Sequence, residues 1–113
     1  MTEVEDRFID AARKHGVATR EGNSRQTNKT NKDLVLALRE LRCSPDRGIG
    51  FLSVQLGSDD ASVVSWAALY LLPFKEKEAT EALERVVAQE IPRVSFGAGM
   101  TLKEWRAGRL KVE

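Results

Sequence analysis

A nearly unbroken run of apolar residues near the middle of the chain limits the possible folds more than any other feature. From Val63 to Leu72 every residue except Ser65 is hydrophobic. A helix that is apolar on all sides must be covered by neighbouring elements, so this segment is predicted to lie at the centre of the fold. A buried strand is the alternative interpretation. The adjacent alanines and the leucines favour a helix, which Pro73 would end.

The rest of the chain carries apolar residues at intervals of three and four, which is the spacing of amphipathic α-helices. Together with the central run, this spacing predicts six helices at about 3–20, 27–42, 44–56, 60–72, 75–90 and 95–107. No segment alternates in the manner of a half-buried strand. The sequence therefore predicts an all-α protein of about six helices.

Helix starts and stops are predicted from capping residues. Ser44 to Asp46 resembles a helix start, because a serine can cap free amides, proline tolerates the first helical position and aspartate suits the positive end of the dipole. Gly57 is predicted to end that helix in a left-handed conformation, and Asp59 and Asp60 to begin the next one. Ser95 is predicted to cap the last helix.

Composition indicates one ordinary globular domain that spans residues 1–113. The apolar fraction of 42% and the charged fraction of 31% exclude a disordered chain, and no apolar run is long enough for a membrane span. The first residues are acidic and amphipathic, unlike a secretory signal, so we expect a cytoplasmic protein. The net charge of +1 does not by itself indicate a nucleic-acid partner.

The second half of the chain contains an internal sequence repeat, which predicts two similar helical hairpins. Shifting the sequence by 31 positions aligns Leu52 with Leu83, Leu56 with Val87, Val63 with Val94, Ala67 with Ala98, Ala68 with Gly99 and Leu71 with Leu102. Hairpins that are apolar on two faces stack on one another. We therefore expect three stacked antiparallel hairpins, with close packing contacts at the glycine pairs 48/50 and 97/99.

The segment from Phe51 to Leu72 resembles a HEAT-type repeat in its leucines, its Gly-Ser-Asp-Asp turn and its Val-x-x-x-Ala-Ala-x-x-Leu helix. Val64 and Ser95 stand where such repeats usually carry an arginine, and the offset of 31 is shorter than usual. The resemblance implies a HEAT-like α-α superhelix.

A second resemblance covers nearly the whole chain. It is carried by Phe8-x-x-Ala-Ala-x-x-His, the Glu-Gly-Asn turn, Asn28-Lys29, Leu38-x-x-Leu41, Trp66-Ala-Ala-x-x-Leu-Leu and Met100-x-Leu-Lys-Glu-Trp-x-x-Gly108. In these motifs the chain is similar to a small, uncharacterised bacterial family of HEAT-like single domains. Some members resemble immunity proteins encoded beside secreted polymorphic toxins, and the family has no established enzymatic activity. Asn31 stands where relatives tend to place an aromatic residue.

Few side chains in this sequence could serve in catalysis or metal binding. His15 is the only histidine and lies on the apolar stripe of the first helix, where a histidine at the core edge with one satisfied nitrogen is the expected role. A lone Cys43 gives neither a disulfide nor a zinc site. Trp66 and Trp105 are expected in the core. The sequence thus predicts no catalytic residue, no metal site and no cofactor.

The expected function is protein binding, because a stack of helices without catalytic residues presents a broad recognition surface. Second helices line one face of such stacks, and the candidate partner-binding residues there are Arg39, Ser65, Tyr70, Lys103 and Arg106. The specific hypothesis is an immunity-type inhibitor that covers a toxin domain.

Two alternatives remain open. The basic stretch from Arg13 to Lys32 could contact phosphates, but it has no interleaved aromatic residues, so nucleic acid is the less favoured partner. A small enzyme centred on His15 is the other alternative. No membrane association is expected.

Overall fold

The computed structural model describes residues 2–112, and these residues form helices without any strand. The six helices are α1 (Glu3–Glu21), α2 (Ser24–Arg42), α3 (Ile49–Gln55), α4 (Ala61–Leu71), α5 (Glu76–Ala88) and α6 (Val94–Arg106). The prediction of an all-α protein with about six helices is confirmed. None of these helices combines the length and the apolar character needed to cross a lipid bilayer.

The central apolar run forms α4, and this helix is the hub of the core. Val63, Ala67, Ala68 and Leu71 are fully buried, as is Leu72 directly after the helix. Helix α4 packs against α1, α3, α5 and α6, which explains why almost every one of its faces is apolar. The helical prediction for this segment is confirmed, and the buried-strand alternative is wrong.

Consecutive helices pack as the pairs α1/α2, α3/α4 and α5/α6. Four of the six aligned pairs are buried in both copies of the internal repeat, among them Ala67 with Ala98 and Leu52 with Leu83. In the other two pairs, Leu56 and Gly99 are only partly buried and Val87 is exposed. Helix α1 also packs against α4 and α6, which brings the first and last helices together. The narrower expectation of a HEAT-like superhelix stays a prediction.

Three predicted helix starts are wrong. In each case a polar side chain accepts a hydrogen bond from an amide other than the one that the predicted start requires. Helix α2 begins at Ser24, three residues earlier than predicted, since Asn23 accepts a hydrogen bond from the Gln26 amide. Helix α3 begins at Ile49 and not at Ser44, since the side chains of Ser44 and Asp46 cap the Gly48 amide and so hold a turn.

The third wrong boundary concerns Ser95, which lies inside the first turn of α6. Its hydroxyl donates to the Val86 carbonyl at 2.6 Å and accepts from the Ile91 amide at 2.8 Å, so it joins the start of α6 to the end of α5. Gly57 does not take a left-handed conformation either, whereas Gly22, Gly48 and Gly108 do. The predicted cap at Asp60 is confirmed, because its carboxylate accepts from the Ser62 and Val63 amides.

Candidate functional site

A groove lies between α1, α4 and α6. Its volume is about 210 Å³. Because its walls come from residues as far apart as His15 and Thr101, tertiary packing alone creates it. We call it the central groove, and its lining residues are His15, Thr19, Ser62, Ser65, Trp66, Leu69, Arg93, Val94, Gly97, Ala98 and Thr101.

Aromatic rings form one wall of the central groove. The His15 ring meets Trp66 edge-on, with centroids 5.1 Å apart and an interplanar angle of 81°. Tyr70 stacks on Trp66 at a centroid distance of 6.4 Å. Trp66 is only partly buried, so it packs against the core and also presents ring surface to the groove. The prediction that Trp66 lies in the core is therefore confirmed only in part.

His15 lies at the core edge, as predicted, with one ring nitrogen satisfied. Its Nδ1 is 3.3 Å from the Thr19 hydroxyl. Partial burial lowers the pKa of the His15 imidazole below its ordinary value of 6.5, because desolvation disfavours the charged ring. The imidazole is therefore neutral at physiological pH. No carboxylate belongs to the residues that line the central groove.

Arg93 stands at the mouth of the groove in an unusual backbone conformation. Its φ is +66° and its ψ is −39°, and the Val94 amide donates to the Pro92 carbonyl at 2.7 Å across it. This is a γ-turn with positive φ, which is rare and strained for a residue with a side chain. The guanidinium donates from Nη1 to the Thr19 carbonyl at 3.2 Å, at the C-terminal end of α1. The turn thus places a positive charge beside an apolar cavity.

Gly97 forms an open part of the groove wall. A Cβ built on Gly97 would have no neighbour within 4 Å, and one on Gly99 would make only an ordinary 3.7 Å contact with Val87. The predicted close packing is therefore wrong for this glycine pair. At Gly48 it is confirmed, since a Cβ there would lie 2.9 Å from Leu41 Cβ.

The other side of α6 carries an exposed apolar stripe. Phe96 is 72% exposed, and Met100, one helical turn later, is 39% exposed. Lys103 lies about one turn further along the same side of α6. Arg106 pairs with Glu84 of α5 at 3.0 Å. We call this surface, formed by Val87, Phe96, Gly99, Met100, Lys103 and Arg106, the outer face. Large apolar side chains that share an exposed surface are a common mark of interaction sites.

The five candidate partner-binding residues fall into three places. Ser65 lines the central groove, and Tyr70 stacks on its Trp66 wall. Lys103 and Arg106 line the α5/α6 side of the outer face. Arg39 is exposed on α2, and its carbonyl accepts a hydrogen bond from Cys43 Sγ.

Sequence reasoning missed two prominent residues, Phe96 and Arg93. Phe96 could have been found, because it lies about 200° around the helix from Ala98 and so falls off the buried stripe of α6. No sequence pattern marks Arg93, because its place at the groove depends on the γ-turn and on the position of α1.

Trp105, the possible metal ligands and the basic stretch do not form a second candidate site in residues 2–112. Trp105 packs against the core and donates from Nε1 to Glu76 at 2.7 Å. Within residues 2–112, no group of three or more potential metal-binding side chains comes together. In the basic stretch, Arg13 pairs with Asp59 at 3.8 Å and Lys29 with Asp33 at 3.1 Å. Part of its charge is therefore matched by carboxylates.

Fold and sites together define an all-α protein with one central groove and one apolar outer face. Comparison of the chain with protein families, with curated proteins and with solved structures gives no match.

Proposed function

We propose that this chain is a non-catalytic protein-binding module of the cytoplasm, and that its partner docks on the outer face. The observation that carries the proposal is the exposure of Phe96, at 72%, on a helix whose opposite side is buried. An exposed aromatic residue that shares one side of α6 with Met100 and Lys103 has the composition of an interface hot spot. None of the described residues that line the central groove with His15 is a carboxylate, and this supports the non-catalytic part of the proposal.

The chemistry of the outer face specifies what the partner should offer. An apolar pocket on the partner would receive Phe96, and partner carboxylates would face Lys103. A stable interface buries about 800 Å² on each partner. That is roughly an eighth of the 6646 Å² surface of this protein.

The narrower form of the proposal is an immunity-type inhibitor whose partner is a toxin domain. It is supported by the resemblance in sequence motifs to a family with immunity-like members. In this form, the bound protein would cover the active site of the toxin in the cell that produces both proteins.

The test compares two variants that are matched in chemistry and exposure. Phe96→Asp puts a charge on the outer face, whereas Val54→Asp puts one on α3 at a residue that is 73% exposed. Tagged wild-type protein and both variants are used to recover partners from native cytoplasm. We expect one protein to be recovered with the wild type and with Val54→Asp, and to be lost with Phe96→Asp.

A second step tests the inhibitor form. The recovered partner is purified, its enzymatic or toxic activity is measured, and this protein is added in increasing amounts. Complete inhibition at a 1:1 ratio supports the immunity role, and unchanged partner activity would contradict it. Recovery of nucleic acid alone, released by salt, would instead favour the basic-stretch alternative.

A further inference from the structure

The central groove has features of a ligand site that the outer face does not use. Its floor and one wall are apolar or aromatic, formed by Trp66, Leu69, Val94 and Ala98. Its volume of about 210 Å³ can be compared with the roughly 150 Å³ apolar cavity that is known to bind benzene. One aromatic ring therefore fits, with room for a small substituent.

The polar groups around the groove set the charge of that substituent. Arg93 contributes a guanidinium, and among residues 2–112 no ion pair involves it. His15 Nδ1 lies 3.3 Å from the Thr19 hydroxyl. The hydroxyls of Ser65 and Thr101 already donate to the Ala61 and Gly97 carbonyls. With Arg93 as the only charged donor and no carboxylate in the lining, the groove suits an anion.

The strain at Arg93 is a separate observation that points to the same place. A positive-φ γ-turn at a residue with a side chain costs free energy, and such strain concentrates at ligand sites. The turn fixes the guanidinium against the end of α1, at the mouth of the groove. A carboxylate would meet a positive charge whose position is already set, which reduces the ordering needed on binding.

From this geometry we propose that the central groove binds a small aromatic monocarboxylate, with its ring against Trp66 and its carboxylate on Arg93. The proposal is independent of the partner that docks on the outer face, because the two sites use different sides of α6.

The test is a titration of isotope-labelled protein with sodium phenylacetate at constant ionic strength, followed by nuclear magnetic resonance. The two tryptophan indole N–H signals report on different places. Trp66 lines the groove, whereas Trp105 lies against Glu76, and a Trp105→Phe variant assigns them. We expect the Trp66 signal to shift with a dissociation constant on the order of 1 mM, as is usual for so small a ligand, and the Trp105 signal to stay in place.

Three comparisons separate ring binding from charge recognition. The neutral analogue 2-phenylethanol should bind about tenfold more weakly than phenylacetate, because it cannot pair with the guanidinium. Arg93→Gln should weaken phenylacetate by about the same factor and leave 2-phenylethanol unchanged. Phe96→Asp should affect neither ligand.

Glycine variants test the location. Gly97→Leu fills the groove and should abolish binding of both compounds, whereas Gly99→Leu, two residues later on α6, should leave binding intact. Gly97→Val, which also extends into the groove from the open position of Gly97, serves if the leucine variant does not fold. Three results would overturn the proposal. The Trp66 signal could stay in place at 10 mM phenylacetate, a concentration on the order of ten times the expected dissociation constant. The protein could bind 2-phenylethanol as tightly as phenylacetate, or the Gly97 variants could bind both compounds as the wild type does.

Discussion

The backbone of Gly16 in α1 lies directly against the side chain of Ser62 in α4. A Cβ built on Gly16 would overlap the Ser62 hydroxyl and lie only 2.7 Å from Ser62 Cβ. Because Ser62 Cβ is fixed to the backbone of α4, no rotamer change can relieve that overlap. This contact sets how closely α1 approaches the central helix, and therefore the width of the central groove.

Gly16→Ala should destabilise the protein, although alanine is the better helix former. Separating two packed helices costs about 1–3 kcal/mol, which exceeds the roughly 1 kcal/mol gained in helix propensity. Urea denaturation measures the net loss. Ser62→Gly in the same chain should restore most of the stability, and a double variant as unstable as Gly16→Ala would show that the overlap is not the cause.

Gly97→Ala and Gly99→Ala should have the opposite effect. Both residues lie in α6 and have room for a methyl group, so each substitution should stabilise the protein by about 0.5–1 kcal/mol. Denaturation of the two single variants measures the gain. A loss of stability at position 97 would mean that this part of the groove wall is more crowded than the structure shows.

The turn at residue 93 should be less strained with glycine than with any other residue. Arg93→Gly and Arg93→Ala both lose the hydrogen bond to the Thr19 carbonyl, but only glycine takes a positive φ without strain. We expect the glycine variant to be more stable than the alanine variant by about 1 kcal/mol. Thermal unfolding of the pair checks this, and the reverse order would contradict the strain.

Stability should fall on mild acidification because of His15. Its pKa in the folded protein lies below the value of 6.5 for the unfolded chain, so the unfolded chain binds more protons between those two values. The stabilising effect is complete above pH 6.5 and is lost as the pH falls through the folded-state pKa. Unfolding free energies from pH 7.5 down to pH 5 should show this slope for the wild type and a flatter one for His15→Gln, since the chain has a single histidine.

Much of the fold could be predicted from the sequence because its signals are local. The alanines and leucines of the central run favour a buried helix over a buried strand, and Asp60 and Pro73 mark its two ends as expected. The start of α3 lies later than the sequence predicts because Ser44 and Asp46 both cap the Gly48 amide in a turn, and Asp46 in addition accepts from the Gly50 amide in the first turn of α3. Local patterns do not reveal which of two nearby amides a cap will select.

The central groove could not be predicted in the same way. It exists because α1 crosses α4 at Gly16 and also reaches α6, and no local pattern shows that approach. The role of Arg93 depends on the same arrangement, since its guanidinium rests on Thr19 from the far end of the chain. Lys103 and Arg106, two of the candidate partner-binding residues, lie on the outer face, and their role in binding stays a prediction.

We propose that a protein partner docks on the outer face through Phe96, and calorimetric titration of the purified partner measures the contribution of this residue. A hot-spot residue contributes about 2 kcal/mol or more, so Phe96→Ala should weaken binding at least about 30-fold. Val54→Ala, equally exposed on α3, should leave the dissociation constant within about twofold. Equal affinities for the two variants would contradict the claim.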